Sequence, residues 1–214
     1  MVKAILFDFW GTLIENGVSP SPVRQVKDIL QLDRLPFPLF ILQFEKSFMT
    51  QKFDDLYKGF ENVCNEFRIN PDKYKLDLLV GMWNKNKIFA KPFPETIEIL
   101  EQLKGKYKMF LVANTDCFSV ESVIEKYALS KYFDKIYLSY QMGMLKSNPK
   151  VFDTILKEEG LKKEEAIMVG DSMESDIIGA ENAGLKAILV DRNDRREYKT
   201  KILTLKELPN FLSE

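Results

Sequence analysis

The sequence predicts an α/β fold in which a parallel-sheet core is interrupted by an all-helical insertion. Three observations carry this. Ala4 to Phe7 is a short apolar run without alternation that ends on Asp8, the pattern of a strand buried on both faces. Between Phe37 and Phe67 aromatic residues recur at helical spacing. From Pro92 onward, short apolar runs alternate with helical patterns, which implies parallel strands joined by right-handed crossovers. The expected division is a core of residues 1–13 and 92–214 around an insertion of residues 14–91.

In chain order, the first strand is followed by Gly11, where the backbone can turn sharply. Proline-bearing breaks at Ser19 to Pro22 and Leu35 to Pro38 separate helices. Phe37, Phe40, Phe44 and Phe48 mark one helix face, and Phe53, Tyr57, Phe60, Cys64 and Phe67 a second. Asn70-Pro71-Asp72 reads as a helix start, with Asn70 as cap and Leu76, Leu79, Val80 and Trp83 as the apolar face. These aromatic stripes are expected to form a core of three or four helices. Pro94 opens a helix with Ile97, Leu100 and Leu103 inward. Lys108 to Ala113 is a strand, followed by a helix on Val120, Val123, Ile124 and Tyr127. Lys135 to Leu138 is a strand, and the next helix, on Val151, Phe152, Ile155 and Leu156, closes at Gly160. Ala166 to Val169 is a strand, followed by a helix on Ile177, Ile178 and Ala183 closed by Gly184. Lys186 to Val190 is the last firm strand, with a weaker one at Lys201 to Thr204 and a short helix over Lys206 to Leu212.

Composition removes whole classes of chemistry. Among 214 residues there is no histidine, which excludes Ser-His-Asp and Cys-His catalysis and the His-containing zinc sites. Cys64 and Cys117 are the only cysteines, too few for a Cys₄ zinc site or a disulfide framework. Lys+Arg is 31 against 32 Asp+Glu, so no global field favours nucleic acid or an anionic membrane. No run spans a bilayer and no signal peptide precedes the first strand, so a cytoplasmic location is expected. Any chemistry must run on carboxylates, lysine, hydroxyls, backbone amides and a hard metal ion. Oligomeric state is left open.

Asp8, Asn114-Thr115 and Asp171 fall at the carboxyl ends of predicted parallel strands, where open α/β sheets place their ligand crevice. Lys146 follows the third strand of that series by a loop, and Asp176 lies beyond Asp171 at a helix start. Asp8, Asp171 and Asp176 offer oxygen ligands suited to Mg²⁺, and three such carboxylates repel one another without a cation. Lys146 can neutralise Asp8 and a bound anion together. Each piece alone has a plain alternative: Asp8 as a turn residue, Lys146 as a solvated surface charge, Cys117 as a small buried hydrophobe.

As an ordered set these residues resemble the haloacid dehalogenase-like hydrolases. Asp8-Phe9-Trp10-Gly11-Thr12-Leu13 is similar to that family's nucleophile loop. Val112-Ala113-Asn114, Lys146-Ser147-Asn148-Pro149, and Val169-Gly170-Asp171-Ser172 through Asp176 with Gly179-Ala180 and Ala183-Gly184 are similar to its other three motifs. The resemblance implies a Rossmann-like core, a mobile helical cap and catalysis by Asp8 and Lys146. It implies Mg²⁺ held by Asp8, Asp171, Asp176 and the backbone carbonyl of Trp10. Trp10, Gly11, Thr12, Asn114 and Thr115 would bind a small-molecule substrate, with backbone amides near Trp10 and Asn114 on its phosphoryl oxygens.

The sequence departs from the family pattern at two places that bear on the chemistry, besides Ser147, which replaces a proline common after the third-motif lysine. Family phosphatases carry an acid–base aspartate two residues after the nucleophile; here that residue is Trp10. A hydroxyl residue usual before Asn114 is replaced by Ala113. An aromatic at Trp10 resembles the dehalogenase branch, but that branch lacks the paired aspartates and uses an arginine on the first long cap helix, which here, at Phe37 to Thr50, has none. Three readings follow: an Mg²⁺-dependent phosphatase working through an aspartyl-phosphate on Asp8, a 2-haloacid dehalogenase, or a non-catalytic relative that binds a phosphorylated ligand. Trp10 itself reads either as packing beneath the cap or as a pocket wall.

Overall fold

A computed structural model describes residues 1–212. Its sheet has six parallel strands in the order β5-β4-β1-β6-β7-β8. These are β1 (Ala4–Phe7), β4 (Lys108–Ala113), β5 (Lys135–Leu138), β6 (Ala166–Gly170), β7 (Lys186–Val190) and β8 (Lys201–Ile202). The order runs outward from β1 in both directions, so the switch point of the topology lies at β1 itself. Phe7 pairs with Leu111 on one side and Val169 on the other, which brings the residues after β1, β4 and β6 together at one edge.

The unbroken apolar run of β1 has a direct cause. Strand side chains alternate between faces, and both faces here are covered. Ile5 and Phe7 join Leu111, Val169 and Ile188 in one core, beneath α5 (Thr96–Leu103) and α6 (Val120–Lys126). Ala4 and Leu6 join Phe110, Val112 and Met168 in the other, beneath α8 (Lys150–Glu159) and α9 (Gly179–Asn182). A polar residue within β1 would therefore lose its water on either face, which confines Asp8 to the strand's end.

Between β2 (Ile14–Glu15) and β3 (Lys91–Pro92) lie four helices: α1 (Pro22–Ile29), α2 (Phe37–Phe48), α3 (Leu56–Glu66) and α4 (Lys73–Phe89). β2 and β3 are antiparallel neighbours, with Ile14 opposite Pro92 and Glu15 opposite Lys91. The helices pack around a column of aromatic rings: Phe40 on Phe44, Phe44 on Phe48, and Phe48 on Phe60, with Trp83 edge-on to Phe48 and Phe60. Gly59 permits this, because a Cβ there would sit 2.5 Å from the Phe48 ring.

Three local expectations are corrected. α4 is capped by Asp72, whose carboxylate accepts from the Lys75 amide at 2.8 Å, not by Asn70; a carboxylate at the helix start outcompetes the more distant amide, and Pro71 stays outside. Tyr57 is exposed and bonds Asp77 rather than joining the buried face of α3. Ile178 is also exposed, because Met173–Ile178 winds as a π-helical turn that shifts the helical phase. A short helix, α7 (Ser139–Met142), lies between β5 and the Lys146 loop. The C-terminal helix is α10 (Leu208–Leu212), preceded by a 3₁₀ turn.

Candidate active site

Asp8 is 7% exposed at the end of β1 and is held from three directions. Its amide donates to the Val169 carbonyl at 2.9 Å. Thr12 Oγ1 donates to its Oδ2 at 2.9 Å, and Lys146 Nζ donates to its Oδ1 at 2.5 Å. The turn between Asp8 and Thr12 depends on Gly11, which has φ +82° and lies against Asp171: a Cβ at Gly11 would sit 2.4 Å from Asp171 Oδ2.

Lys146 is 2% exposed, and its ammonium also lies 2.6 Å from Asp176 Oδ1. Asp176 Oδ1 is fully buried, and this ion pair is the one polar contact it has among the described residues. The other Asp176 oxygen accepts from the Ser172 amide at 3.0 Å. Gly170 makes room for this carboxylate, since a Cβ there would lie 2.2 Å from Asp176 Oδ2. Gly179 does the same for the lysine loop, where a Cβ would meet the Lys146 carbonyl at 2.3 Å. The glycines of the fourth motif thus have steric reasons particular to this site.

Oxygens of Asp8, Asp171 and Asp176 lie within 4.8 Å of one another. Burial, reinforced by Asp8, pushes the Asp176 carboxyl up to about 6. Burial, with Asp8 and Asp176, likewise pushes Asp171 well above the ordinary carboxylate range. Burial opposes the charge on Lys146, but Asp176 and Asp8 outweigh it and raise the lysine above its usual value. One ammonium facing three carboxylates leaves excess negative charge. An all-oxygen donor set of three clustered carboxylates with uncompensated negative charge fits a hard divalent cation.

The remaining predicted residues divide. Asn114 stands at the end of β4: its Oδ1 accepts from the Lys146 amide at 2.9 Å and its Nδ2 donates to Glu45 Oε2 at 2.8 Å. Trp10 lines the crevice and packs edge-on against Phe9 of the sheet core, with centroids 5.1 Å apart. Thr12 is buried, its hydroxyl committed to Asp8. Thr115 departs from the expectation. It is fully buried, its hydroxyl donates to the Asp116 carbonyl at 3.2 Å, and it is absent from the crevice wall. Its amide is also taken, donating to Ser139 Oγ at 2.9 Å.

The crevice has a volume of about 330 Å³ and lies between the sheet edge and helices α1, α2 and α4. A family model for the haloacid dehalogenase-like hydrolases matches residues 5–190, most of the chain. The chain belongs to this family. Haloacid dehalogenase-like relatives include the glyceraldehyde 3-phosphate phosphatase of Methanothermobacter thermautotrophicus, 29% identical over 89% of this chain and 86% of its own length. The D-ribitol-5-phosphate phosphatase of Bacteroides thetaiotaomicron is 26% identical over 85% of this chain and 88% of its own. Among solved structures, a HAD phosphatase from Thermococcus onnurineus is similar with a TM-score of 0.64 and 26% identity, covering 99% of this chain and 98% of that one. The L-2-haloacid dehalogenase of Xanthobacter autotrophicus shares the fold, with a TM-score of 0.66 at 18% identity over 100% and 99% of the two chains.

Several residues of this haloacid dehalogenase-like site were not evident in sequence. Arg192 donates to the Thr12 carbonyl at 2.8 Å and to Glu95 at 2.6 Å, with its guanidinium 3.5 Å from the Phe93 ring centroid. It fastens the nucleophile loop to the segment after β3. Burial works against the Glu95 charge, but Arg192 and Thr204 overcome it and hold that carboxyl below its usual value. Arg196 donates to the Asp171 carbonyl. Glu45 enters the crevice from α2, on a stripe with Phe37, Ile41 and Met49. That spacing of four beside the phenylalanine stripe is the signal that could have found it. Among the described residues no helix is long and apolar enough to cross a membrane.

Proposed function

We propose that this hydrolase is a phosphatase of small phosphorylated metabolites, with Asp8 as nucleophile and Mg²⁺ as cofactor. The observation that carries the reading is the buried trio of Asp8, Asp171 and Asp176, three carboxylates whose charge the single ammonium of Lys146 does not balance. On this reading Asp8 attacks phosphorus and the ester oxygen departs, leaving an aspartyl-phosphate. Water then attacks phosphorus and returns the Asp8 carboxylate with release of phosphate. Lys146 holds Asp8 in line and carries positive charge to the phosphoryl oxygens, as do the amides near Trp10 and Asn114. Asp8, Asp171, Asp176 and the Trp10 carbonyl would hold Mg²⁺, which supplies charge neutralisation when bound. Thr12 and Thr115 serve by fixing the loops, not by touching substrate.

The reading divides the chain into a core of residues 1–13 and 92–214 and a cap of residues 14–91 that covers the crevice and excludes water. It also includes a cytoplasmic setting, in keeping with the free thiols of Cys64 and Cys117. Relatives named as phosphatases support it. The dehalogenase reading expects an arginine on α2 to receive an anionic leaving group; α2 presents Glu45 to the crevice, and the arginine that lines it, Arg24, comes from α1. A pure binder of phosphorylated ligands gains nothing from a buried carboxylate, Asp8, facing an anion.

The test is p-nitrophenyl phosphate hydrolysis with Mg²⁺ and with EDTA, beside Asp8→Asn. Mg²⁺-dependent turnover lost in the variant supports the reading. No turnover overturns it, and a halide-release assay then examines dehalogenation.

A further inference from the structure

We propose that Glu45, contributed by the helical segment over the crevice, is the acid–base residue of this site and takes the part that Trp10 cannot play. The proposal rests on the phosphatase reading above. In-line displacement puts the departing oxygen opposite Asp8, which lies on the floor at the end of β1. The departing oxygen therefore faces α1, α2 and α4. Two ionisable side chains from those helices line the crevice: Arg24 and Glu45. Glu45 is the one carboxyl among them.

The carboxyls on the other walls are committed. Asp8, Asp171 and Asp176 form the nucleophile and cation cluster. Asp116 accepts from the Phe118 amide at 2.8 Å, from Trp83 at 3.0 Å and from Ser119 at 3.0 Å. The exception is Glu174, which lines the crevice on the Asp171 side but is exposed to water, with one contact of 3.5 Å from Ser172. Glu45 differs in being half committed. Its Oε2 accepts from Asn114 Nδ2 at 2.8 Å, and its Oε1 has no hydrogen bond among the described residues. Asn114 is itself fixed by the Lys146 amide, so one amide side chain indexes Glu45 to the lysine that holds the nucleophile.

Glu45 also has the right proton affinity. Burial raises its carboxyl to about 7; the Asn114 bond and Lys146 oppose this, while Asp176 and Asp8 add to it. It can therefore hold a proton at neutral pH and release it.

The step balances without a further reactant. Asp8 Oδ forms a bond to phosphorus as the P–O ester bond breaks, and the departing oxygen takes the Glu45 proton. Products are an alcohol, the aspartyl-phosphate and the Glu45 carboxylate. In the second half, water attacks phosphorus and gives its proton to Glu45. Phosphate leaves, and the Asp8 carboxylate and protonated Glu45 are restored.

The experiment measures kcat/KM for a series of substituted phenyl phosphates, from p-nitrophenyl to unsubstituted phenyl, with wild type and Glu45→Gln. Glutamine keeps the oxygen that accepts from Asn114 but cannot donate a proton from a carboxyl. Phenyl phosphate needs its leaving oxygen protonated far more than p-nitrophenyl phosphate does. The expected result is a shallow dependence on leaving-group pKa in wild type and a steep one in the variant. Phenyl phosphate should fall about 10²–10⁴-fold and p-nitrophenyl phosphate less than about tenfold. An equal fall for both esters, or none, overturns the proposal. The wild-type series judges it independently of the variant's folding: a dependence as steep as that of uncatalysed aryl phosphate hydrolysis overturns it. Absence of wild-type turnover of p-nitrophenyl phosphate overturns the phosphatase reading, and this proposal with it.

Discussion

The Trp83 indole nitrogen donates to Asp116 Oδ2 at 3.0 Å, and Ser119 Oγ lies 3.1 Å from the same nitrogen. One ring thus belongs to the aromatic column of the helical segment and reaches the loop after β4. Trp83→Phe keeps most of the ring contacts but leaves the buried Asp116 short of a donor. We expect a loss of about 1–3 kcal/mol, the penalty for an unsatisfied buried acceptor. Urea denaturation checks it; a loss under about 0.5 kcal/mol would mean that water replaces the indole.

Asp171 should act in opposite directions with and without Mg²⁺. In EDTA its burial beside Asp8 and Asp176 is unfavourable, so Asp171→Asn should melt higher than wild type. Mg²⁺ at 100 times its Kd should stabilise wild type by about 2.7 kcal/mol and the variant far less. Thermal melts with EDTA and with Mg²⁺ read both signs.

Lys146→Met removes the ammonium from a buried cluster and leaves its partners uncompensated. Breaking a buried ion pair from one side typically costs about 3–5 kcal/mol. Loss of a charge aimed at the phosphoryl group should also lower kcat by about 10²–10³-fold. Denaturation in EDTA and p-nitrophenyl phosphate kinetics measure the two effects separately.

Glu45 gives a signed pH dependence. Its carboxyl is held at about 7 in the folded chain, against 4.5 for the free group. Between those values the folded state binds a proton that the unfolded state has released, so stability falls as pH rises through the window and levels off above it. Glu45 is only partly buried by its own surface, and solvent screening limits the contribution to about 1–2 kcal/mol. Asp171 and Asp176 slope the same way, so the readout is the difference between wild type and Glu45→Gln in EDTA at pH 5 and pH 7.5. Parallel curves would refute it.

Much of the sheet is legible in the sequence because burial on both faces leaves an unambiguous mark. The Ala4–Phe7 run and the runs at β4, β6 and β7 contain little that water could solvate. The convergence of Asp8, Asn114 and Asp171 follows from strand ends alone, and Asp176 follows Asp171 by one turn of helix. What the sequence conceals is rotational phase. Ile178 reads as core under a period of 3.6, and a single π turn moves it to the surface. Glu45 is hidden for a related reason: the four phenylalanines of α2 announce its buried side, while the edge beside them looks like ordinary surface until another body is placed against it. Arg192 is remote in sequence from the loop it fastens, and only the sheet order brings them together. Thr115 shows the converse error, a hydroxyl near the motif that the turn itself consumes.

The antiparallel pairing of Ile14 with Pro92 and Glu15 with Lys91 brings the two ends of the helical segment side by side before any helix begins. To the sheet, everything between them is a loop already closed. The entropy of closing a loop grows only with the logarithm of its length, so lengthening, shortening or replacing that segment alters the closure term little. The helices can thus be exchanged with small effect on the sheet that carries Asp8. Within this architecture a lineage can acquire a new substrate by changing what it grafts at this junction while Asp8 and Lys146 stay in place, provided the new segment again supplies a group in the position of Glu45.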